Sequence, residues 1–147
     1  KRDTKMKKRP RNKAICIVRK ENSVLLIDTH APDNPEFRVC VPFGGGVDFG
    51  EHSRDAAARE TLEELGAVVI NLRRMDVIEN MFTYKDELYH EVLFAWEGEF
   101  EDKTLYEKEE IQGVESTGEP FICRWIDVEL IKDEKVFFFP KQLIPLL

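Results

Sequence analysis

The chain has 147 residues, of which 42% are hydrophobic and 10% aromatic, which is enough for one sizeable core and gives no reason for a second domain. It carries no run of about 18 apolar residues, and no apolar segment follows its basic N-terminus, so we expect neither a membrane span nor a secretory signal and take the cytoplasm as the expected location. The formal net charge of −7 argues against broad nucleic-acid binding.

Charge is unevenly distributed along the chain. Residues 1–13 hold eight Lys or Arg side chains and one acid, which predicts a basic, flexible tail ahead of a single domain over residues 14–147. A basic arm can contact nucleic acid or a polyphosphate, although a solubilising lead-in is the commoner meaning of a short terminal run. Met6 is an alternative natural start.

The first predicted elements are strands. Apolar runs at residues 14–19 and 24–28 are separated by a polar break and predict a β-hairpin. Residues 31–36 contain two prolines and are predicted to form a loop. A strand over residues 39–41 then leads into the glycines at 44–46, which we interpret as a glycine turn.

A helix is predicted next. Ser53 can cap its start, the alanines at 56–58 favour helix, and Gly66 suits the left-handed residue that ends it. At about 100° per residue, the apolar side of this helix is formed by Ala58, Thr61, Leu62 and Leu65. The nearly opposite side, which faces away from the core, carries Glu60, Glu63 and Glu64.

The second half of the chain is predicted to be mostly extended. Residues 68–96 are rich in β-branched and aromatic side chains around a polar turn at 84–87, which predicts a strand and then a long hairpin. Residues 99–120 are acidic without a sustained period and are predicted to be a loop. A strand over 121–127 and a helix after Pro140 complete an α+β sandwich with a mixed sheet.

The three helix glutamates have two interpretations. A solvated acidic helix face is the usual meaning of such a cluster, whereas carboxylate oxygens are also the ligands that hard cations such as magnesium prefer. The residues upstream favour the second interpretation. The glycines at 44–46 let the backbone approach a metal or a phosphate closely, and Glu51 adds an acid beside the helix start.

Residues 45–67 resemble the Nudix box. Gly45 is followed after five residues by Glu51, and after seven more by the run RETLEELGA from Arg59 to Ala67. Every charged and glycine position of that signature matches. Two differences are Thr61, where most relatives have an apolar residue, and Phe43, which separates Pro42 from the glycines where many relatives join proline directly to glycine. Outside the box, short fragments such as His90-Glu91 resemble a bacterial Nudix branch without an assigned substrate.

The resemblance implies a Nudix-like α/β/α sandwich with a mixed β-sheet, and it implies roles for the box residues. The expected ligands of Mg²⁺, for which Mn²⁺ can substitute, are Glu60, Glu63, Glu64 and a carbonyl of Gly44 or Gly45. Arg59 would orient these glutamates, and Glu51 would act as an outer or bridging acid.

The general base is either a box glutamate or an acid from a later loop. We favour Glu60 among the box acids. The acids to test first in the predicted loop are Glu107 and Glu110, although plain solvated charge is the commoner role of loop acids. The competing loop acids are Glu109, Glu115 and Glu119. We interpret His90 as a packed side chain rather than a catalytic one.

The implied activity is hydrolysis of a pyrophosphate bond by water attack on phosphorus, in a nucleoside diphosphate linked to another moiety or in a nucleoside triphosphate. The alternative is a non-catalytic nucleotide sensor on the same fold, which would typically have lost one box glutamate. The expected partner is a small nucleotide-type molecule, with no membrane and no nucleic acid except an RNA 5′ end. Because dimers are common among relatives, a homodimer is an open alternative.

Overall fold

The computed structural model describes residues 8–31 and 33–147. Within them the chain forms nine β-strands, two α-helices and two 3-10 helices. In chain order these are β1 (Arg11–Lys20), β2 (Ser23–Ala31), β3 (Asn34–Val41), β4 (Phe43–Gly46), α1 (Ser53–Leu65), β5 (Val69–Tyr84), β6 (Glu87–Phe100), a 3-10 helix (Lys103–Glu107), β7 (Glu110–Val114), β8 (Pro120–Asp127), α2 (Val128–Lys132), β9 (Phe137–Phe138) and a second 3-10 helix (Lys141–Leu146).

Strand β1 joins the two halves of a mixed sheet. It pairs in parallel with β6 and antiparallel with β4, and its end pairs antiparallel with β2. Strand β5 continues the first half beyond β6. In the second half, β2 lies between β3 and β8, with β9 parallel to β3 and β7 antiparallel to β8.

The two faces of β1 bury different sets of side chains, because successive strand residues point to opposite faces. Ala14 and Cys16 pack in the core cluster that contains Ala56 and Ala57 of α1. Ile15 and Ile17 belong to a second cluster, shared with α2 and with Leu143 of the C-terminal 3-10 helix. The sheet therefore has helices on both faces, and the predicted α+β sandwich is confirmed.

Most of the predicted hairpins and boundaries are confirmed. The β1–β2 hairpin forms with Arg19 opposite Val24, and β5 and β6 form the long hairpin. Its turn residues Lys85 and Asp86 have φ of 51° and 61°, as the tight turns that suit strand twist require. Strand β8 covers the predicted 121–127 segment.

The predicted tail extends too far, since β1 begins at Arg11. Arg11, Asn12 and Lys13 pair with residues 91–93 of β6, and backbone pairing of this kind does not depend on side-chain charge. Residues 1–7, including Met6, lie outside the described residues. No helix among the described residues is long and apolar enough to cross a membrane.

Three other loop or turn predictions are wrong. The glycines at 44–46 are strand β4, paired with β1, rather than a turn. The predicted 31–36 loop is shortened by β2 and β3, which reach Ala31 and Asn34. Residues 99–120 contain a 3-10 helix and β7, which pairs with β8. These segments pair with distant parts of the chain, and their local composition does not report such partners.

Helix α1 differs from its prediction at its start and in its buried face. The cap position is His52, and the Ser53 hydroxyl accepts a hydrogen bond of 3.0 Å from Trp96 Nε1. Thr61 is buried as predicted, but Leu62 is 51% exposed, and the other fully buried residues are Ala56 and Ala57. Gly66 ends the helix as predicted, with φ of 66° and its N–H donated to Leu62 O.

Candidate active site

Strand β4 is packed so closely between β1 and helix α1 that two of its glycines, Gly44 and Gly45, cannot carry side chains without displacement. A Cβ on Gly44 would collide with the backbone of β1 at Ala14, and one on Gly45 would collide with the Glu60 carboxylate. A Cβ on Gly46 would have only Arg11 Nη2 nearby, at 3.8 Å. The absent side chain of Gly44 therefore lets β4 lie close to β1, and that of Gly45 lets β4 backbone lie directly beside a helix carboxylate.

Arg59 is the centre of an ion-pair network. Its Nε and Nη2 donate to the two Glu51 oxygens at 2.8 and 2.9 Å. Its Nη1 donates to Glu60 at 2.9 Å and to Glu63 at 3.3 Å, and its Nη2 also reaches Gly46 O at 3.0 Å. The guanidinium thus links Gly46 and Glu51 to Glu60 and Glu63 of the helix. Its two hydrogen bonds to Glu51 are bidentate, which is the strong form of such pairing.

The acids of this network have different environments. Hydrogen bonds from Arg59, and then one from the Asp48 backbone N–H, lower the pKa of Glu51 to about 2. Burial raises the pKa of Glu64 to about 8, helped by contact with Glu60 and by the charge of Glu115, while Lys13 opposes the rise. Glu63 has a side chain that is 57% exposed.

Among the residues that the structure describes, no group of three or more His, Cys, Asp or Glu side chains is arranged to hold a metal ion. One reason is that Arg59 pairs with Glu51, Glu60 and Glu63. The chemistry of the donors nevertheless fits a hard divalent cation, because Glu60 and Glu64 touch and Glu115 is near. Carboxylates this close need either a proton or a cation between them.

The acids of the predicted loop lie at different places in and before the β7–β8 hairpin. Glu110 lies on β7, where Arg124 Nη2 donates to it at 2.7 Å, and Glu107 ends the first 3-10 helix. Glu115 follows β7 in the hairpin turn, where its N–H donates to Glu119 O at 2.8 Å. Of these acids, Glu115 is the one whose charge acts on Glu64. Glu115 could not be preferred over the other loop acids from the sequence, because the β7–β8 hairpin was not predicted.

Lys13 also lies close to the site, although the sequence did not indicate it as a site residue. It was assigned to the tail, yet β1 places its Nζ 3.5 Å from Glu91 Oε2 and near Glu64. His52 is exposed at the helix start and His90 is half-buried on β6. Phe137 packs against Phe37 and Phe139 against Phe82, and Phe138 between them in the chain is buried.

Comparisons with known proteins agree with this architecture. In the solved structures, a MutT NUDIX hydrolase from Burkholderia pseudomallei matches at TM-score 0.61 and 22% identity, over 83% of this chain and 86% of that one. A NUDIX hydrolase from Nitrosomonas europaea matches at TM-score 0.64 and 14% identity, over 94% and 86%. The corresponding values for a MutT protein from Bacillus halodurans are 0.59, 17%, 92% and 79%. At these identities the likeness shows the fold.

The sequence comparison goes further than the fold. No curated protein matches the chain, but the model of the NUDIX domain matches residues 8–147, which is nearly the whole sequence. Members of this family hydrolyse pyrophosphate bonds, and the box residues on which the resemblance depends lie together on β4, α1 and the loop between them. The chain belongs to the Nudix family of hydrolases.

Proposed function

We propose that this protein is a metal-dependent hydrolase that cleaves the pyrophosphate bond of a nucleoside diphosphate derivative or a nucleoside triphosphate by water attack on phosphorus. The observation that carries the proposal is the position of the Glu60 carboxylate, which lies directly against the backbone of Gly45 and accepts a hydrogen bond from Arg59. This arrangement concentrates oxygen donors where a diphosphate chain can approach.

Mg²⁺, with Mn²⁺ as a substitute, would be held by Glu60, Glu63 and Glu64 and by the carbonyl of Gly45 or Gly44. When bound, it would supply polarisation of a phosphoryl oxygen and a lower pKa for water. Arg59 would keep the glutamates aligned from one side, and Glu51 would fix Arg59 through its two short hydrogen bonds.

The general base is proposed to be Glu60, with Glu115 as the loop alternative. Glu60 is in contact with Arg59 and Glu64, so it lies at the centre of the acids. Glu115 replaces Glu107 and Glu110 as the first loop acid to test, because it is near Glu64 whereas Glu110 is paired with Arg124.

The central test is Glu64→Gln, which keeps the shape of the side chain and removes the charge. We expect turnover to fall by at least about 100-fold without loss of the fold, because a neutral amide binds a divalent cation poorly. Glu129→Gln is the matched control, since it removes one charge from an exposed position on α2. Near-normal turnover of the Glu64→Gln protein would refute the assignment.

The substrate is to be found with a panel of sugar nucleotides, dinucleoside polyphosphates, oxidised nucleoside triphosphates and RNA 5′ ends, each with Mg²⁺ or Mn²⁺. Release of a phosphomonoester or of pyrophosphate, measured as inorganic phosphate after treatment with a coupling phosphatase or pyrophosphatase, identifies a hydrolase and its preferred class of substrate. Calorimetry on the same panel identifies the alternative, a nucleotide sensor, by metal-dependent binding without release of any product.

A further inference from the structure

A buried polar cluster lies at the start of β1 and the facing parts of β5 and β6, and the proposed reaction does not use it. Its members are Lys13, Asn80 and Glu91. Asn80 is 2% exposed and Glu91 9% exposed, so both are buried among strands that otherwise bury apolar side chains. Burying a carboxylate is costly unless a cation pairs with it, and Lys13 is the cation that does so, at 3.5 Å.

Lys13 has N–H donors available beyond its ion pair with Glu91. An ammonium group has three N–H donors, and its one ion pair with a described residue, Glu91, is long at 3.5 Å. Asn80 Nδ2 reaches the other Glu91 oxygen, also at 3.5 Å. Strand β1 pairs Lys13 with Gly46 of β4, the residue after the proposed metal-binding carbonyl, so Lys13 lies beside the strand that borders the proposed metal site.

A cavity of about 490 Å³ adjoins this cluster and has Glu91 in its wall. The rest of its lining includes the basic side chains Lys8, Arg9 and Arg11 and the rings of Tyr89 and His90. Arg11 Nη2 also lies beside Gly46, the residue after the proposed metal-binding carbonyl. The cavity is therefore linked to the box through Arg11 on one side and through Glu91 and Lys13 on the other.

We propose that Lys13, oriented by Glu91 and Asn80, binds a phosphoryl group of the substrate beside the box acids, and that the adjoining cavity receives the group attached to it. The inference rests on the proposed function and adds where the substrate lies. The lining holds three cations, Lys8, Arg9 and Arg11, against two acids, Glu87 and Glu91, which gives the cavity a positive balance. That balance selects a substrate with a further phosphate beyond the scissile diphosphate.

The test of Lys13 uses Lys13→Met, which keeps the length of the side chain without its charge. We expect KM to rise at least 10-fold with a smaller change in kcat, and Lys13→Arg to restore most of the loss. Arg73→Met is the control, because Arg73 is an exposed cation paired with Glu97 and should leave KM unchanged. Equal KM for the wild type and Lys13→Met would overturn the proposal.

A purely structural role for Lys13 predicts a different result. If Lys13 only neutralised the buried Glu91, the double variant Lys13→Met with Glu91→Gln would recover activity, since neither side chain would then be charged. We expect the double variant to regain thermal stability but to keep the raised KM. Recovery of KM in the double variant would also overturn the proposal.

Binding of imidodiphosphate, a diphosphate analogue that is not hydrolysed, separates this inference from the proposed function. With Mg²⁺ present, calorimetry should show affinity at least 10-fold weaker for Lys13→Met than for the wild type, whether or not the wild type turns over any substrate. Equal affinity, or no binding by the wild type, counts against the Lys13 site. If the wild type binds imidodiphosphate but hydrolyses no substrate, that result counts against the proposed function and not against the Lys13 site.

The selectivity of the cavity is tested with Arg11→Gln. The two sources of a further phosphate are a third phosphate in the chain, as in a nucleoside triphosphate, and a phosphate on the attached sugar. We expect wild-type kcat/KM to be at least 10-fold higher for one of these than for a nucleoside diphosphate with a neutral sugar, and Arg11→Gln to reduce that ratio. A wild-type preference for the neutral sugar would overturn this part of the proposal.

Discussion

Gly45 and Gly46 are neighbours in β4, but the space around them differs. The position of a side chain on Gly45 is filled by the Glu60 carboxylate, whereas the nearest group to that position on Gly46 is Arg11 Nη2 at 3.8 Å. Neither residue has a left-handed backbone, so the difference between them is one of contact rather than of backbone strain. The pair therefore tests whether backbone contact with Glu60 matters.

We expect Gly45→Ala to lower turnover by at least about 10-fold, because the new methyl group must displace the Glu60 carboxylate from its place between Arg59 and Glu64. Gly46→Ala should retain most of the activity. The measurement is kcat/KM on the preferred substrate, with circular dichroism to confirm that both variants are folded. Equal activity of the two variants would contradict a role for this contact.

At the scale of single elements, helix α1 depends on Gly66 to end it. Gly66 has φ of 66°, and no atom lies within 4 Å of a Cβ built on it, so only the backbone conformation resists substitution. A left-handed residue with a side chain costs about 1–2 kcal/mol, and asparagine tolerates that conformation better than alanine.

We therefore expect Gly66→Ala to lower the free energy of unfolding by about 1 kcal/mol, measured by urea titration. Gly66→Asn should lose less, since both variants add a side chain of small size but only asparagine is suited to the left-handed region. A larger loss for asparagine than for alanine would show that space, not backbone conformation, limits this position.

The features of these elements that the sequence predicted correctly are those that depend on residues close together in the chain. The helix end at Gly66 and the turn at Lys85 and Asp86 depend on neighbouring residues, and both were predicted. The strand character of β4 and the start of β1 depend on pairing between β1, β4 and β6, which local composition does not specify. Lys13 was misplaced for that reason.

The residues of the candidate site divide in the same way, into those predicted from local spacing and those brought there by long-range strand pairing. The box spacing predicted that Glu51, Arg59 and the helix glutamates act together, and in the structure Arg59 donates hydrogen bonds to Glu51 and Glu60. The loop acid near Glu64 could not be chosen from spacing, because Glu115 is brought there by the β7–β8 hairpin. Residues recruited by long-range pairing carry no signature in the local sequence.

At the scale of the whole molecule, one ion-pair network joins four strands of the second half of the sheet. Asp28 on β2 has a side chain that is 6% exposed. It accepts two hydrogen bonds of 2.8 Å from Arg38 on β3 and one of 3.0 Å from Arg124 on β8. Arg124 in turn donates to Glu110 on β7. Removal of Asp28 would leave two arginines without their shared partner.

The pKa of Asp28 makes the contribution of this network depend on pH. Burial raises the pKa, but the hydrogen bonds from Arg38 and Arg124 outweigh burial and hold it below its ordinary value. The stabilisation is therefore complete above the unfolded pKa of about 3.9 and is lost as the pH falls through the lower, folded pKa.

We expect Asp28→Asn to reduce the free energy of unfolding by about 2 kcal/mol at pH 7, and this difference from the wild type to shrink below about pH 4. Urea titrations from pH 7 to pH 3 measure it, with the exposed Asp33→Asn as control. A difference that stays constant over this range would mean that Asp28 acts through packing rather than through its charge.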